Sequence, residues 1–356
     1  MRAEKAVERR VQEGALIVNY VGHGGERGWA HERVLDLPAI KSWTNLNRLP
    51  LFVTATCELA RYDDPEVNSA GEEILLNESG GAIAMLTTTR IVTSGDNQDL
   101  NSAFFDVALE DQTIQNLTLG RISQETKNNV PPSANNRCFS LLGDVALILS
   151  YPEYEVQTTS INGVPLDGVN QETVNSLQEV TVAGKVTDQN GILLTDFNGF
   201  VYPTVFDKRS VVTALNNDGA NTEFDFDVFK NLIYRGAATV TDGEFEFSFV
   251  VPRDINFELG TGRISYYCVD GNRDGHGHTE DFIIGGLLDG AELNDQGPDI
   301  NLFMNDSTFV FGGTTDQSPF IFAKVFDENG VNTVGNGIGH DLKAVLDGNT
   351  NDPIIL

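Results

Sequence analysis

Residues 1–13 alternate charged and apolar positions in a way that predicts an amphipathic helix rich in Arg and Glu. Ala15 to Val21 (ALIVNYV) follows as a near-continuous apolar run, the pattern of a strand covered on both faces. It ends in Gly22-His23-Gly24-Gly25. A short helix is predicted over Pro38 to Leu46, and a second buried strand over Leu51 to Ala55 (LFVTA), which ends at Thr56-Cys57. Ser69 to Glu78 has helical spacing, with Ser69 placed as a cap and Glu72 at the capping-box position. Gly80-Gly81 closes that helix. Ala82 to Thr87 reads as a third buried strand, Leu100 to Glu110 as a helix, and Cys138 to Ser150 as the closing segment. Strands alternating with helices predict a mostly parallel sheet in a three-layer α/β domain.

From about Glu153 the periodicity changes. Val180 to Val186, Ala238 to Thr241, Glu244 to Val251 (EFEFSFVV) and Arg263 to Val269 alternate, or run β-branched and aromatic, between turns such as Asp188-Gln189-Asn190-Gly191 and Asp242-Gly243. That texture predicts immunoglobulin-like β-sandwiches. The expected division is an α/β domain over 1–152, a linker over 153–179, a sandwich over 180–286 and an incomplete second sandwich over 287–356. Ile300 to Met304, Phe309 to Phe311, Phe320 to Phe326 and Leu342 to Leu346 are the strand candidates of the last block, and Ile354 to Leu356 begins another.

Composition narrows the function. With 23 Lys and Arg against 52 Asp and Glu, the net charge of −29 argues against direct partnership with nucleic acid or anionic lipid. Some of those carboxylates are candidate Ca²⁺ ligands, and Asp63, Asp64 and Glu66 are the nearest such group to the motifs below. No cofactor is required by any motif. Three cysteines, Cys57, Cys138 and Cys268, make no disulfide scaffold. No apolar run approaches the roughly 18–20 residues of a membrane span, and the N-terminus does not read as a signal peptide. Two readings stay open there: a cytoplasmic protein, or a fragment whose true start lies upstream.

Two residues carry the candidate chemistry. His23 and Cys57, 34 positions apart, each follow the C-terminal end of a predicted parallel strand. α/β sheets present ligand-binding loops at that edge. A thiol becomes a nucleophile when a base removes its proton, and the developing oxyanion needs N–H donors. His23 is the candidate base, Cys57 the candidate nucleophile, and the N–H groups of Gly24 and Cys57 the candidate oxyanion hole. Glu26 and Glu58 follow the two motifs and are candidates to line the cleft. His31-Glu32 reads better as a solvated turn than as part of the cleft, Asp274, His276 and His278 better as an exposed hairpin or loop than as a transition-metal site, His340 as a structural residue of a glycine loop, and Cys138 and Cys268 as packing residues.

Asn19-Tyr20-Val21-Gly22-His23-Gly24-Gly25, Thr54-Ala55-Thr56-Cys57-Glu58, Gly80-Gly81-Ala82-Ile83-Ala84 and Thr88-Thr89-Arg90 together resemble the gingipain-type cysteine peptidases, which have a caspase-like fold. Further strings extend the resemblance to that family's secretion-sortase branch: Asn198 to Pro203, Tyr234-Arg235-Gly236, Phe249 to Ile255 and Gly335 to Asp341. The resemblance implies a surface protease-transpeptidase of the type IX secretion system in Bacteroidetes-type bacteria, on the outer membrane. It would remove the C-terminal signal domain of secreted cargo and join the new carboxyl end to anionic lipopolysaccharide, alongside other secretion components. His23 becomes the base, Cys57 the nucleophile, and Gly24 with Cys57 the oxyanion hole. The family's catalytic domain begins upstream of the first strand here, so the resemblance reads residues 1–152 as its C-terminal portion. On that reading the isolated chain would be poorly soluble or self-associating. The rival reading is a non-catalytic, peptidase-like scaffold of a secretion complex.

Overall fold

The computed structural model describes residues 3–110, 117–166, 168, 171–214, 224–253, 255–290, 297–327, 343–345 and 354–355, in two units divided after Tyr151. The first unit runs α1 (Ala3–Glu13), β1 (Ile17–Val21), β2 (Gly24–Gly25), β3 (Gly28–Trp29), β4 (Leu35–Asp36), α2 (Leu37–Lys41), β5 (Leu51–Ala55), α3 (Ala70–Leu76), β6 (Ala84–Thr88), α4 (Ser94–Phe105), α5 (Leu119–Asn128), α6 (Ala134–Cys138) and β7 (Phe139–Leu142).

Its main sheet has the order β1-β5-β6-β7, parallel across β1, β5 and β6 and antiparallel at β7. Successive side chains of a strand point to opposite faces, and each face here has its own core. Leu51, Val53, Ala55, Ala84 and Leu86 pack with Leu100 and Phe104 of α4 and Leu119 and Ile122 of α5. Phe52 and Met85 pack on the other face with Val11, Ile40, Trp43 and Ile74 from α1, α2, α3 and their loops. Helices on both faces make the expected three layers.

Complete cover holds for β5 and β6 but not for β1, which among the described residues pairs only with β5 and leaves Asn19 and Val21 exposed. An all-apolar run does not distinguish a central strand from an edge one. Ile17 packs on one core and Val18 with Tyr20 on the other, while Asn19 Nδ2 reaches Asn101 Oδ1 of α4 at 2.6 Å. The capping box at α3 forms as its sequence predicts: the Ser69 hydroxyl accepts from the Glu72 N–H, and the Glu72 carboxylate accepts from the Ser69 N–H at 2.8 Å. The helix read over Leu100 to Glu110 begins earlier, at Ser94, and passes into a π-turn at Asp106.

The second unit contains β8 (Tyr154–Ile161), β9 (Val164–Pro165), β10 (Glu172–Ser176), β11 (Glu179–Thr187), β12 (Gly199–Phe206), β13 (Ser210–Thr213), β14 (Asp225–Val228), β15 (Leu232–Arg235), β16 (Ala238–Thr241), β17 (Glu244–Val250), β18 (Gly260–Thr261), β19 (Arg263–Val269), β20 (Asp274–Thr279) and β21 (Phe282–Leu287). β17 buries Phe245, Phe247 and Phe249 and exposes the residues between them, as its alternation predicts. The pairings form a circuit, β11-β17-β16-β12-β19-β20-β8 and back to β11, with β9 and β15 as side branches. Strands β10, β21 and β18 form a separate three-stranded sheet, and this pairing does not by itself draw the expected immunoglobulin-like arrangement.

Residues 153–179, expected as a linker, instead form β8, β9 and β10. Two features hid β8. Its inward positions mix Val156 and Ile161 with the half-buried Thr158, and a register shift opposite Ala183 and Gly184 changes which parity faces the core. Beyond residue 296 the described elements are an exposed hairpin, β22 (Asp299–Met304) with β23 (Ile321–Phe326), and a short pair, β24 (Lys343–Ala344) with β25 (Ile354–Ile355). His340 and the rest of the Gly335 to Asp341 string lie outside the described residues.

Candidate active site

Register sets the site. In the parallel ladder Val21 is opposite Ala55, and the Gly22 N–H donates to the Ala55 carbonyl at 3.3 Å. His23 and Cys57 each lie two residues beyond that last pair, so both leave neighbouring strands at the same level of the same sheet edge.

The histidine loop is tied down from several sides. The Tyr20 hydroxyl donates to the His23 carbonyl at 2.7 Å, and the Ala30 N–H donates to the same oxygen at 2.8 Å. The Tyr20 ring stacks on Trp29 at 4.4 Å between centroids. Burial, and secondarily the charge of Glu32, push the Tyr20 phenol above its ordinary pKa, which keeps it a neutral donor. A Cβ at Gly22 would lie 2.8 Å from that hydroxyl, so the loop closes over Tyr20 only with glycine there. Gly24 is tighter still: a Cβ would overlap Thr56 Oγ1. The histidine loop therefore packs directly on the residue before Cys57. Gly24 is opposite Trp29 in a ladder whose next bond is Ala30 to His23. That makes Gly24–Trp29 a non-hydrogen-bonded pair and turns the Gly24 N–H away from β3.

On the cysteine side, the Thr88 hydroxyl donates to the Thr56 carbonyl, the Ala60 N–H to the Thr88 carbonyl at 3.0 Å, and the Glu58 N–H to the Arg90 carbonyl at 3.3 Å. Glu58 adopts φ 51°, a left-handed turn that lifts the chain off the strand after Cys57. Cys57 is partly buried, with Sγ 3.6 Å from the Val92 carbonyl. His23 is exposed, and among the described residues its imidazole has no hydrogen-bond partner; the His31 ring lies 6.4 Å away.

The remaining candidates distribute differently. Glu26 and Glu58 converge on Arg61, at 2.6 and 3.6 Å, and Asp64 joins them at 3.7 Å. Their carboxylates brace the two motif loops rather than standing free in a cleft. Asp63 pairs with both terminal nitrogens of Arg90, which holds its carboxyl below the usual range. Asp63 and Asp64 are thus engaged by arginines, and Asp64 also accepts from the Glu66 N–H at 3.0 Å. The described residues contain no group of three His, Cys, Asp or Glu placed to hold a metal ion. His276 and His278 share an exposed face of β20. Cys268 is fully buried, as read, and burial pushes its thiol up to about 12. Cys138 is only partly buried and lines a cavity. Sequence patterns gave no sign of Arg61 or Arg137, and Arg90 stood out only within the Thr88-Thr89-Arg90 string, because a surface arginine's partner is fixed by loop geometry that periodicity does not encode.

Residues 1–150 match the sequence profile of peptidase family C25. The crystal structure of dimeric latent PorU from Porphyromonas gingivalis is similar at 32% identity and TM-score 0.45, covering 70% of this chain and 24% of that one. The complex of Porphyromonas gingivalis RgpB pro- and mature domains is similar at 17% identity and TM-score 0.38, covering 77% of this chain and 57% of that one. The chain thus spans about a quarter of the PorU chain and little over half of the RgpB chain. No curated protein matches it. No helix among the described residues is long and apolar enough to cross a membrane. The α/β unit, residues 1–150, belongs to peptidase family C25, the gingipain-type cysteine peptidases.

Proposed function

We propose that this chain carries the dyad of a cysteine peptidase-transpeptidase, with Cys57 as nucleophile and His23 as base. The observation that carries this reading is the packing of Gly24 on Thr56, which holds the two motif loops together at one sheet edge. His23 takes the thiol proton, and the thiolate attacks a peptide carbonyl carbon. Negative charge collects on the carbonyl oxygen, opposite the N–H groups of Gly24 and Cys57. Collapse expels the amine, which takes the proton from the imidazolium and leaves a thioester on Cys57. A water molecule or an acceptor nucleophile then attacks the thioester, gives its proton to His23, and releases the thiol. Water as acceptor gives hydrolysis; a nucleophilic group on a surface glycan gives transfer.

At the finer level we propose a type IX secretion sortase at the outer cell surface. It removes the C-terminal signal domain of cargo and attaches the cargo to anionic lipopolysaccharide. The 32% identity to PorU across 70% of this chain is consistent with that assignment, and the strings matched downstream of the catalytic unit motivate it. Calcium is not needed for any step. The unpartnered His23 imidazole favours a second reading, a peptidase-like scaffold without chemistry.

Thiol reactivity separates the two. Iodoacetamide should modify Cys57 faster than Cys138 at neutral pH, and His23→Ala should slow Cys57 about tenfold or more, the range in which a positioned base acts. In cells carrying the full-length protein, Cys57→Ala should abolish cargo processing. Retained processing in that variant would rule out Cys57 as the nucleophile.

A further inference from the structure

Beyond Cys57, on the flank away from β1, lies an open cavity of about 410 Å³ walled by Tyr62, Asp63, Thr89, Arg90, Arg137 and Cys138. Ligand sites commonly fall in the range of about 300–1,000 Å³. Its walls are continuous with the nucleophile's own loop. Residues 57–60 run against 88–92 through the Glu58 to Arg90 and Ala60 to Thr88 backbone bonds, and Cys57 Sγ lies 3.6 Å from the Val92 carbonyl. The Thr89–Arg90 wall of the cavity is therefore hydrogen-bonded to the loop that carries Cys57.

The charges inside are unequal. Asp63 and Arg90 are consumed by one another in a two-nitrogen, two-oxygen pair. Thr89 is turned inward, its hydroxyl donating to the Cys138 carbonyl at 3.2 Å. Arg137, in the last turn of α6, is exposed and has no ion-pair or hydrogen-bond partner among the described residues. In a chain of net charge −29 this is an uncompensated guanidinium on the wall of a cavity beside the nucleophile. A guanidinium presents a planar fork of donors that matches a carboxylate. The Asp63–Arg90 pair shows that fork-to-carboxylate geometry already made in the same cavity.

We propose that this cavity is a substrate subsite for an acidic side chain, in which Arg137 selects an Asp or Glu of the peptide close to the bond being cut. The proposal rests on Cys57 being the nucleophile, and it names the class of residue the site prefers. Arg137 is a specificity residue; it takes no part in proton transfer.

The test measures binding without turnover. The full chain carrying Cys57→Ala is titrated against fluorescent acetylated hexapeptide amides in which one Glu, Gln or Lys is moved along an otherwise neutral sequence. At one register Glu should bind about tenfold tighter than Gln or Lys, the scale of a hydrogen-bonded charge pair. Arg137→Glu should reverse that order, and Arg137→Lys should keep its sign with a smaller ratio. The proposal is overturned if no register discriminates, if Arg137→Glu leaves the order unchanged, or if inorganic phosphate displaces the peptide as well as the glutamate peptide itself does. A reactive Cys57 with no acidic preference defeats the subsite alone. An acidic preference with an unreactive Cys57 upholds the acid-binding cavity and removes the peptidase reading.

Discussion

Gly24 and Thr56 decide whether His23 and Cys57 can work together. The space that a side chain would need at position 24 is occupied by Thr56 Oγ1, an atom buried without a hydrogen-bond partner. Gly24→Ala should therefore push the two motif loops apart, and a displacement near 1 Å at a reacting centre can cost about a hundredfold in rate. Thr56→Ala in the same chain removes the obstructing atom and should restore most of the loss. Alkylation rates of Cys57 in the two variants check this, and equal rates in wild type and Gly24→Ala would show that the contact does not position the dyad. At this scale the sequence was informative about the reacting types and silent about their support. His23, Cys57 and the glycines were legible because strand-end placement and glycine clustering are local patterns. Tyr20, Arg61 and Arg137 were not. Tyr20 reads as one more apolar strand residue until its hydroxyl is seen on the His23 carbonyl, and an arginine's role depends on which loops fold up to meet it.

Elements differ in how far their local pattern reaches. α3 was readable from its own residues, because a capping box closes within four positions. That closure makes it testable: Ser69→Ala should cost about 1 kcal/mol of stability, the usual value of a lost N-cap. Chemical denaturation of the variant should show the midpoint shift with little change in slope, and an unshifted midpoint would mean the cap is compensated elsewhere. β1 shows the opposite limit. Its composition resembles that of β5, yet among the described residues β1 is paired on one side and β5 on both, since what lies beside a strand is decided by partners distant in sequence. β8 failed for a third reason, the bulge that moves its buried side chains from one parity to the other.

The whole molecule has its cores in separate places. Two clusters lie in residues 1–151, on the two faces of the parallel sheet, and one large cluster lies within residues 154–284 of the second unit. Heating should accordingly give two transitions. The second unit carries a built-in alkaline sensitivity. Burial, with Asp274 adding to it, raises the Cys268 thiol from 9.0 to about 12. A thiol held protonated in the fold but ionised when unfolded stabilises fully below pH 9 and progressively less between 9 and 12. The transition of the second unit should fall across that window, and Cys268→Ala should lessen that fall, most clearly below pH 10 where the buried Tyr266 phenol does not yet contribute, while leaving the other transition alone. Calorimetry at several pH values measures both effects, and one indivisible transition would contradict the separation of cores.

The circuit of strands in that unit also governs its response to tension. β8 begins three residues after the division between the units and is bonded on one side to β11 and on the other to β20. A tug passing along the backbone from residue 151 cannot peel β8 from a free edge one bond at a time. It has to shear two ladders together, which makes the first step of forced unravelling a high and abrupt one.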